Sequence, residues 1–260
     1  MGSDHEGDVG GFGDMFQDPE GFLQPEKPDT FVEHQMRSGQ TLKLRLVGNH
    51  PLYGHLLWNA GKTASDYLEE RAAEVIQGKD VLELGAGGGL PSLVCAVKGA
   101  RNTVVTDYPD VDLVENLRWN AAACESLRDP SSALHVAGYK WGASPDNLFE
   151  FLPAQSSGFD VLILADVIYN RPEHHNLVSS IQKTLKKSPD SVAFVIFTPY
   201  QPWLLEKVRV FFPLAEAGGF TVTPIFEKIM DNLLFEDDPG DQLLRRTVFG
   251  YELRWKEDQI

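Results

Sequence analysis

Residues 81–91 read VLELGAGGGLP, and no other stretch constrains the fold of this chain as strongly. A short apolar run passes straight into glycines, and the glycines open a second apolar run with helical spacing, LPSLVCAVKG at 90–99. A ligand at such a turn meets bare backbone, the first N–H groups of the helix and the positive end of its dipole. The next apolar run, NTVVTD at 102–107, ends on Asp107, twenty residues beyond Gly87. A carboxylate at that tip is placed to accept the hydroxyls of a ribose. The unit is therefore built to hold a nucleoside-type cofactor.

The spacing of the acid also suits a dinucleotide, whose fingerprint is G-x-G-x-x-G. Here that frame gives Gly85, Gly87 and then Leu90, so the third glycine is missing. The run Glu83-Leu84-Gly85-Ala86-Gly87-Gly88-Gly89 instead resembles the E-x-G-x-G-x-G loop of class I methyltransferases that use S-adenosyl-L-methionine. That cofactor ends in a zwitterionic amino acid, not a pyrophosphate, so its loop needs less anion binding and more close backbone approach. Gly88 is expected to add only slackness.

At 260 residues the chain suits one large α/β domain with its own core. Cys95 and Cys124 fall in helical segments and match no metal spacing, which fits a reducing, cytoplasmic compartment. No apolar run approaches membrane-spanning length, and neither a signal peptide nor a membrane association is expected. The net charge of −15 argues against nonspecific nucleic-acid binding and favours a basic protein partner.

Residues 1–30, rich in Gly, Asp, Glu and Pro, read as a flexible acidic segment ahead of a single domain at 31–260. Within that domain TLKLRLVG (41–48) reads as a half-exposed strand, and 55–76 as a helix interrupted near Asn59, Ala60 and Gly61. Strands are expected at 80–84, 102–106, 134–142, 159–170 and 191–200, with helices at 90–99, 110–124, 173–187 and 204–219, the last kinked or split by Pro213. Two strands, 220–228 and 247–255, close the chain across an acidic, loop-rich segment at 231–246. Alternating strands and helices imply a doubly wound, mostly parallel sheet, and the closing pair implies an antiparallel hairpin at its edge. His174 and His175 have no third ligand nearby and read as the solvated start of a helix, so no metal is assigned.

With the loop, Asp107, Trp141 and ADVIY in this order, the chain resembles seven-β-strand methyltransferase family 16, over roughly residues 30–256. That family contains protein lysine methyltransferases and nicotinamide N-methyltransferase-like proteins. The most specific element is Asp166-Val167-Ile168-Tyr169, which matches the D/E-x-x-Y/F motif following the fourth sheet strand. Residues 15–22 resemble one fungal member, which methylates the N-terminal glycine and adjacent lysine of translation elongation factor 1-alpha. The resemblance implies a Rossmann-like class I methyltransferase fold with a seven-stranded sheet. It also implies cofactor contacts at Trp58, Glu83, Gly85, Ala86, Gly87, Asp107, Trp141 and Ala165.

Methyl transfer from a sulfonium is an in-line displacement, so the enzyme's main task is to align a neutral amine. Asp166 is expected to orient that amine and accept its hydrogen bond, while Tyr169 and Tyr200 wall an aromatic slot able to hold a methylated ammonium. Three other readings stay open: a small-molecule N-methyltransferase, a dinucleotide-dependent oxidoreductase and a catalytically silent cofactor-binding module.

Overall fold

A computed structural model describes residues 28–48, 50–51, 54–127 and 133–260. Residues 15–22 and most of the N-terminal segment lie outside the described residues.

Seven strands form one sheet: β3 (Asp80–Leu84), β4 (Asn102–Asp107), β5 (Ala133–Gly138), β6 (Val161–Ala165), β7 (Val192–Phe197), β8 (Phe220–Ile229) and β9 (Thr247–Trp255). Their order is β5-β4-β3-β6-β7-β9-β8. The first five pair in parallel, whereas β9 runs antiparallel to both β7 and β8. The closing hairpin thus enters the sheet with its second strand inward. Strands β3 and β7 are buried at every position, as expected of central parallel strands covered on both faces.

Because strand side chains alternate, the two faces separate cleanly. Val81, Val161, Ile163, Phe194 and Ile196 pack with Ala60, Ala64 and Leu68 of α1 (Asn59–Glu70). Leu82, Leu162, Leu164, Val195 and Phe197 pack with Leu177 and Ile181 of α6 (His174–Thr184) and with Phe211 and Ala215 of α8 (Phe211–Ala217). A separate hairpin of β1 (Thr30–Gln35) and β2 (Thr41–Leu46) rests on α3 (Leu90–Val97) through Met36, Leu42 and Leu44. Among the described residues no helix is long and apolar enough to cross a membrane.

Several expected boundaries shift for identifiable reasons. The helix expected from residue 55 begins at Asn59 and breaks at Arg71, followed by the short α2 (Ala72–Val75). β5 ends at Gly138, which leaves Trp141 in a turn. β6 stops at Ala165 because Asp166 takes a left-handed backbone with φ 52°, unusual for a residue with a side chain. The helix expected at 204–219 is split at Val210 into α7 (Leu205–Arg209) and α8. Pro213 lies in the first turn of α8, where its missing N–H disturbs nothing. Finally, α4 (Val111–Ala123) follows β4, α5 (Asp146–Phe149) precedes β6, and α9 (Gln242–Arg246) ends the acidic segment.

Candidate active site

All the parallel strands end on the same side of the sheet, and the glycine loop leaves β3 there. Gly85 has φ 72°, and a Cβ on it would lie 2.8 Å from Val167 and 2.9 Å from Trp141. Glycine here lets the indole of Trp141 lie directly against the loop. Gly87 has φ 55° with nothing within 4 Å of its missing Cβ, so its backbone faces open space. Gly88 is not mere slack, because a Cβ there would sit 3.0 Å from Leu46 of β2.

Glu83, buried, accepts hydrogen bonds from the backbone N–H of Ser92 and from its hydroxyl. It thereby satisfies the first turn of α3, whose cap residue Gly89 has no side chain to do so. Burial raises the Glu83 carboxyl to about 8, against the opposing pull of the Ser92 hydrogen bonds. Asp107 accepts from the N–H of Gly87 at 2.7 Å and of Tyr108 at 2.7 Å, and burial raises its pKa as well.

The other end of the site has the same construction. Trp58 gives α1 no side-chain cap. Instead the N–H of Ala60 donates to Asp166 at 3.1 Å and that of Asn59 donates to the Tyr200 hydroxyl at 3.1 Å. The second oxygen of Asp166 accepts from the N–H of Thr198 at 2.8 Å, and Tyr200 donates to the first at 3.3 Å. Burial raises Asp166 to about 7, although these three donors pull the other way. The Tyr200 hydroxyl is raised by burial, then by the neighbouring Asp166 charge.

Two chambers result. The larger, of about 420 Å³, is lined by Trp58, Glu83, Gly85, Ala86, Gly87, Asp107, Trp141, Ala165, Asp166 and Tyr169, all expected from the sequence, while Tyr200, also expected, lines only the second. The second, of about 380 Å³, shares Trp58, Asp166 and Tyr169 with the first and adds Thr198, Tyr200, Phe235 and Asp238. Trp58 meets Tyr200 edge-on with ring centroids 5.0 Å apart, and Phe235 lies 5.8 Å from each. With Tyr169 and Phe197, five aromatic side chains line this second chamber.

Phe235 and Asp238 were not expected. They sit in the acidic segment, whose sequence carries no motif, and Arg245 brings them in. This guanidinium, 2% exposed, donates to the carbonyls of Phe235 and Asp238. The pair His174-His175 needs correction too. His174 is buried, with Nε2 2.6 Å from the carbonyl of Ile168, so it fastens the segment carrying Tyr169 and only His175 is solvated.

Residues 38–201 match a family described as Lysine methyltransferase. The chain is 62% identical over 256 residues to an Aspergillus fumigatus protein named Protein N-terminal and lysine N-methyltransferase efm7, covering 98% of this chain and 99% of that one. A Neurospora crassa protein of the same name is 45% identical over 252 residues, covering 95% of this chain and 89% of that one. Among solved structures, a T. thermophilus 16S rRNA methyltransferase in complex with AdoMet and guanosine aligns with a TM-score of 0.52 at 16% identity, over 88% of this chain and 51% of that one. That last likeness is one of fold.

Proposed function

Since the chain belongs to the lysine methyltransferase family, we propose that it methylates the N-terminal glycine of translation elongation factor 1-alpha and the lysine beside it. It is an S-adenosylmethionine-dependent N-methyltransferase. The protein substrate is supported by the relatives named for N-terminal and lysine methylation, and by a charge of −15 that favours a basic polypeptide. The observation that carries the reading is the wall common to the two chambers, made of Trp58, Asp166 and Tyr169. A donor on one side of it faces an acceptor on the other.

The larger chamber suits S-adenosylmethionine in its chemistry. Gly85, Ala86 and Gly87 offer backbone to the amino-acid end and ribose, and the open space beside Gly87 admits them. Asp107 would accept the ribose hydroxyls, Trp141 would flank the adenine, and Trp58 and Ala165 would close the chamber. Glu83 acts less as a contact than as the clamp that holds the loop to α3. S-adenosylmethionine supplies an electrophilic methyl group.

The chain's own residues prepare the amine. A carboxylate offers about four acceptor positions, and Asp166 has three donors, which leaves one for an amine N–H. With its carboxyl raised to about 7, Asp166 can accept a proton near neutral pH, where general bases are most effective. An α-amine, with a pKa of about 8, is already partly neutral there, whereas lysine at about 10.4 needs more help. The rings of Trp58, Tyr200 and Phe235 and the rim residue Tyr169 exclude water and hold the ammonium by cation–π attraction.

The test is incubation with labelled S-adenosylmethionine and an extract of a fungus deleted for its relative of this chain, followed by mass identification. Label at the N-terminus and adjacent lysine of elongation factor 1-alpha is the expected result. Label confined to small molecules would move the reading to a metabolite methyltransferase. No label, with cofactor binding intact, would favour the silent module.

A further inference from the structure

The second chamber contains two carboxylates with different surroundings, Asp166 and Asp238. Asp166 is committed to three donors, two of them backbone amides that fix it in place. Asp238 is 51% exposed, and the Arg245 guanidinium lies 4.0 Å from its carboxylate, close enough for charge pairing but too far for a hydrogen bond. Arg245 grips the backbone carbonyl of the same residue, which holds it at the chamber, and among the described residues no hydrogen bond reaches its carboxylate. The two terminal nitrogens of Arg245 are taken by the loop carbonyls, while its Nε has no hydrogen-bond partner among the described residues. The chamber also presents the Thr198 hydroxyl, 6% exposed and beside the Tyr200 hydroxyl.

Arg171 lines the same chamber, and its charge opposes an incoming cation unless a carboxylate offsets it. An amine substrate arrives as an ammonium and must be desolvated before it can give up its proton. Ring faces alone cannot favour that against a neighbouring guanidinium.

We propose that Asp238 captures the substrate ammonium at the mouth of the second chamber, setting affinity for the amine, while Asp166 acts on it farther in. This rests on the second chamber being the acceptor site. It goes beyond that reading by dividing capture from proton acceptance and by assigning the first to the segment between β8 and β9.

The test titrates a short basic peptide beginning Gly-Lys into the full chain loaded with S-adenosylhomocysteine, which cannot turn over, with steady-state kinetics alongside. For Asp238→Asn the peptide Kd and KM should rise roughly fivefold with kcat within about twofold of wild type, the size expected of a partly exposed charge pair. Asp238→Glu, which keeps the charge, should recover part of the loss. Asp237→Asn, on the same segment but outside the chamber, should leave the peptide Kd at its wild-type value. An unchanged Kd in Asp238→Asn, or an equal loss in Asp237→Asn, would overturn the assignment while leaving the methyltransferase reading intact. If the wild-type chain binds S-adenosylhomocysteine but neither binds nor methylates the peptide, the acceptor-site reading falls, and this inference with it.

Discussion

The carboxylate of Asp166 lies 3.1 Å from the backbone nitrogen of Ala60, so one side chain serves the candidate chemistry and also caps the helix that begins at Asn59. Glu83 treats Ser92 at the start of α3 in the same way. In both cases a carboxylate from the end of a buried strand fills the unpaired amides of a helix start, and in both cases burial raises its pKa. Structure and chemistry are therefore coupled at these positions, and substitutions there should show it.

Replacing Asp166 with Asn keeps the shape but turns one acceptor end into a donor. That end then faces either Thr198 N–H or Ala60 N–H with the Tyr200 hydroxyl, all donors. Stability should fall by about 1–3 kcal/mol, the usual cost of an unmatched buried polar group. Turnover should drop by roughly 10²–10⁴-fold, the typical contribution of a positioned base. Affinity for S-adenosylhomocysteine, measured by calorimetry, should change little. Near-normal turnover would remove Asp166 from the chemistry.

Wild-type turnover should itself rise with pH through a midpoint near the value of about 7 to which Asp166 is raised, because only the ionised form can accept the proton. The profile of kcat against pH checks this. A flat profile between pH 6 and pH 8 would mean that a different group carries the proton.

Glu83 gives a stability effect whose sign can be worked out. An unfolded Glu titrates at about 4.3, whereas the folded carboxyl is raised to about 8. Between those limits the unfolded chain releases a proton that the fold retains, so the fold loses stability as pH rises. The contribution is fully present below about pH 4 and is lost as pH climbs through 8, on the order of a few kcal/mol in all. Gln resembles the protonated form, so Glu83→Gln should flatten the fall in Tm between pH 5 and pH 8. A variant with the wild-type slope would show that Glu83 is ionised in the fold.

Gly85 and Gly87 share a left-handed backbone but differ in surroundings, and alanine at each should separate strain from collision. Both substitutions carry roughly 1–2 kcal/mol of conformational cost. Only Gly85→Ala must also displace Trp141 and Val167. Its Tm should therefore fall further than that of Gly87→Ala, by about 2–4 °C for each extra kcal/mol in a domain of this size. Equal losses would mean that Trp141 does not rest on the loop.

Much of this arrangement was readable from the sequence, for a physical reason. Strands β6 and β7 are continuous apolar runs, and the glycine loop with Asp107 is a local pattern fixed by backbone geometry. That pattern places the glycine loop and Asp107, whereas Trp58, Trp141, Ala165, Asp166 and Tyr169, which line the same chamber, were expected from the family resemblance. What escaped depends on contacts distant in sequence. Arg245 reads as an ordinary surface cation in LLRR until the fold buries it against the carbonyls of Phe235 and Asp238. Nothing local marks those two residues as part of an aromatic and acidic pocket. Gly88 looked dispensable because the hairpin that crowds it lies more than forty residues earlier. The left-handed turn at Asp166, which ends β6 early, is set by the tertiary bonds of its side chain and not by any turn signal in ADVIY.

Trp58 gives the sharpest test of the shared wall, since its ring borders both chambers while Phe235 borders only the second. Aromatic ring pairs contribute about 0.5–1.5 kcal/mol beyond simple burial, and Trp58 pairs edge-on with Tyr200 and at a tilt with Phe235. Phe235→Ala should therefore weaken binding of an amine peptide several-fold and leave S-adenosylhomocysteine binding unchanged. Trp58→Ala should weaken both. Because the two rings touch, the double variant should lose less peptide affinity than the sum of the single losses, with a coupling of about 0.5 kcal/mol or more. For S-adenosylhomocysteine no coupling is expected, because Phe235 does not reach that chamber. Loss of only one ligand in Trp58→Ala would show that the chambers do not meet at this ring, and the case for direct transfer across it would fail.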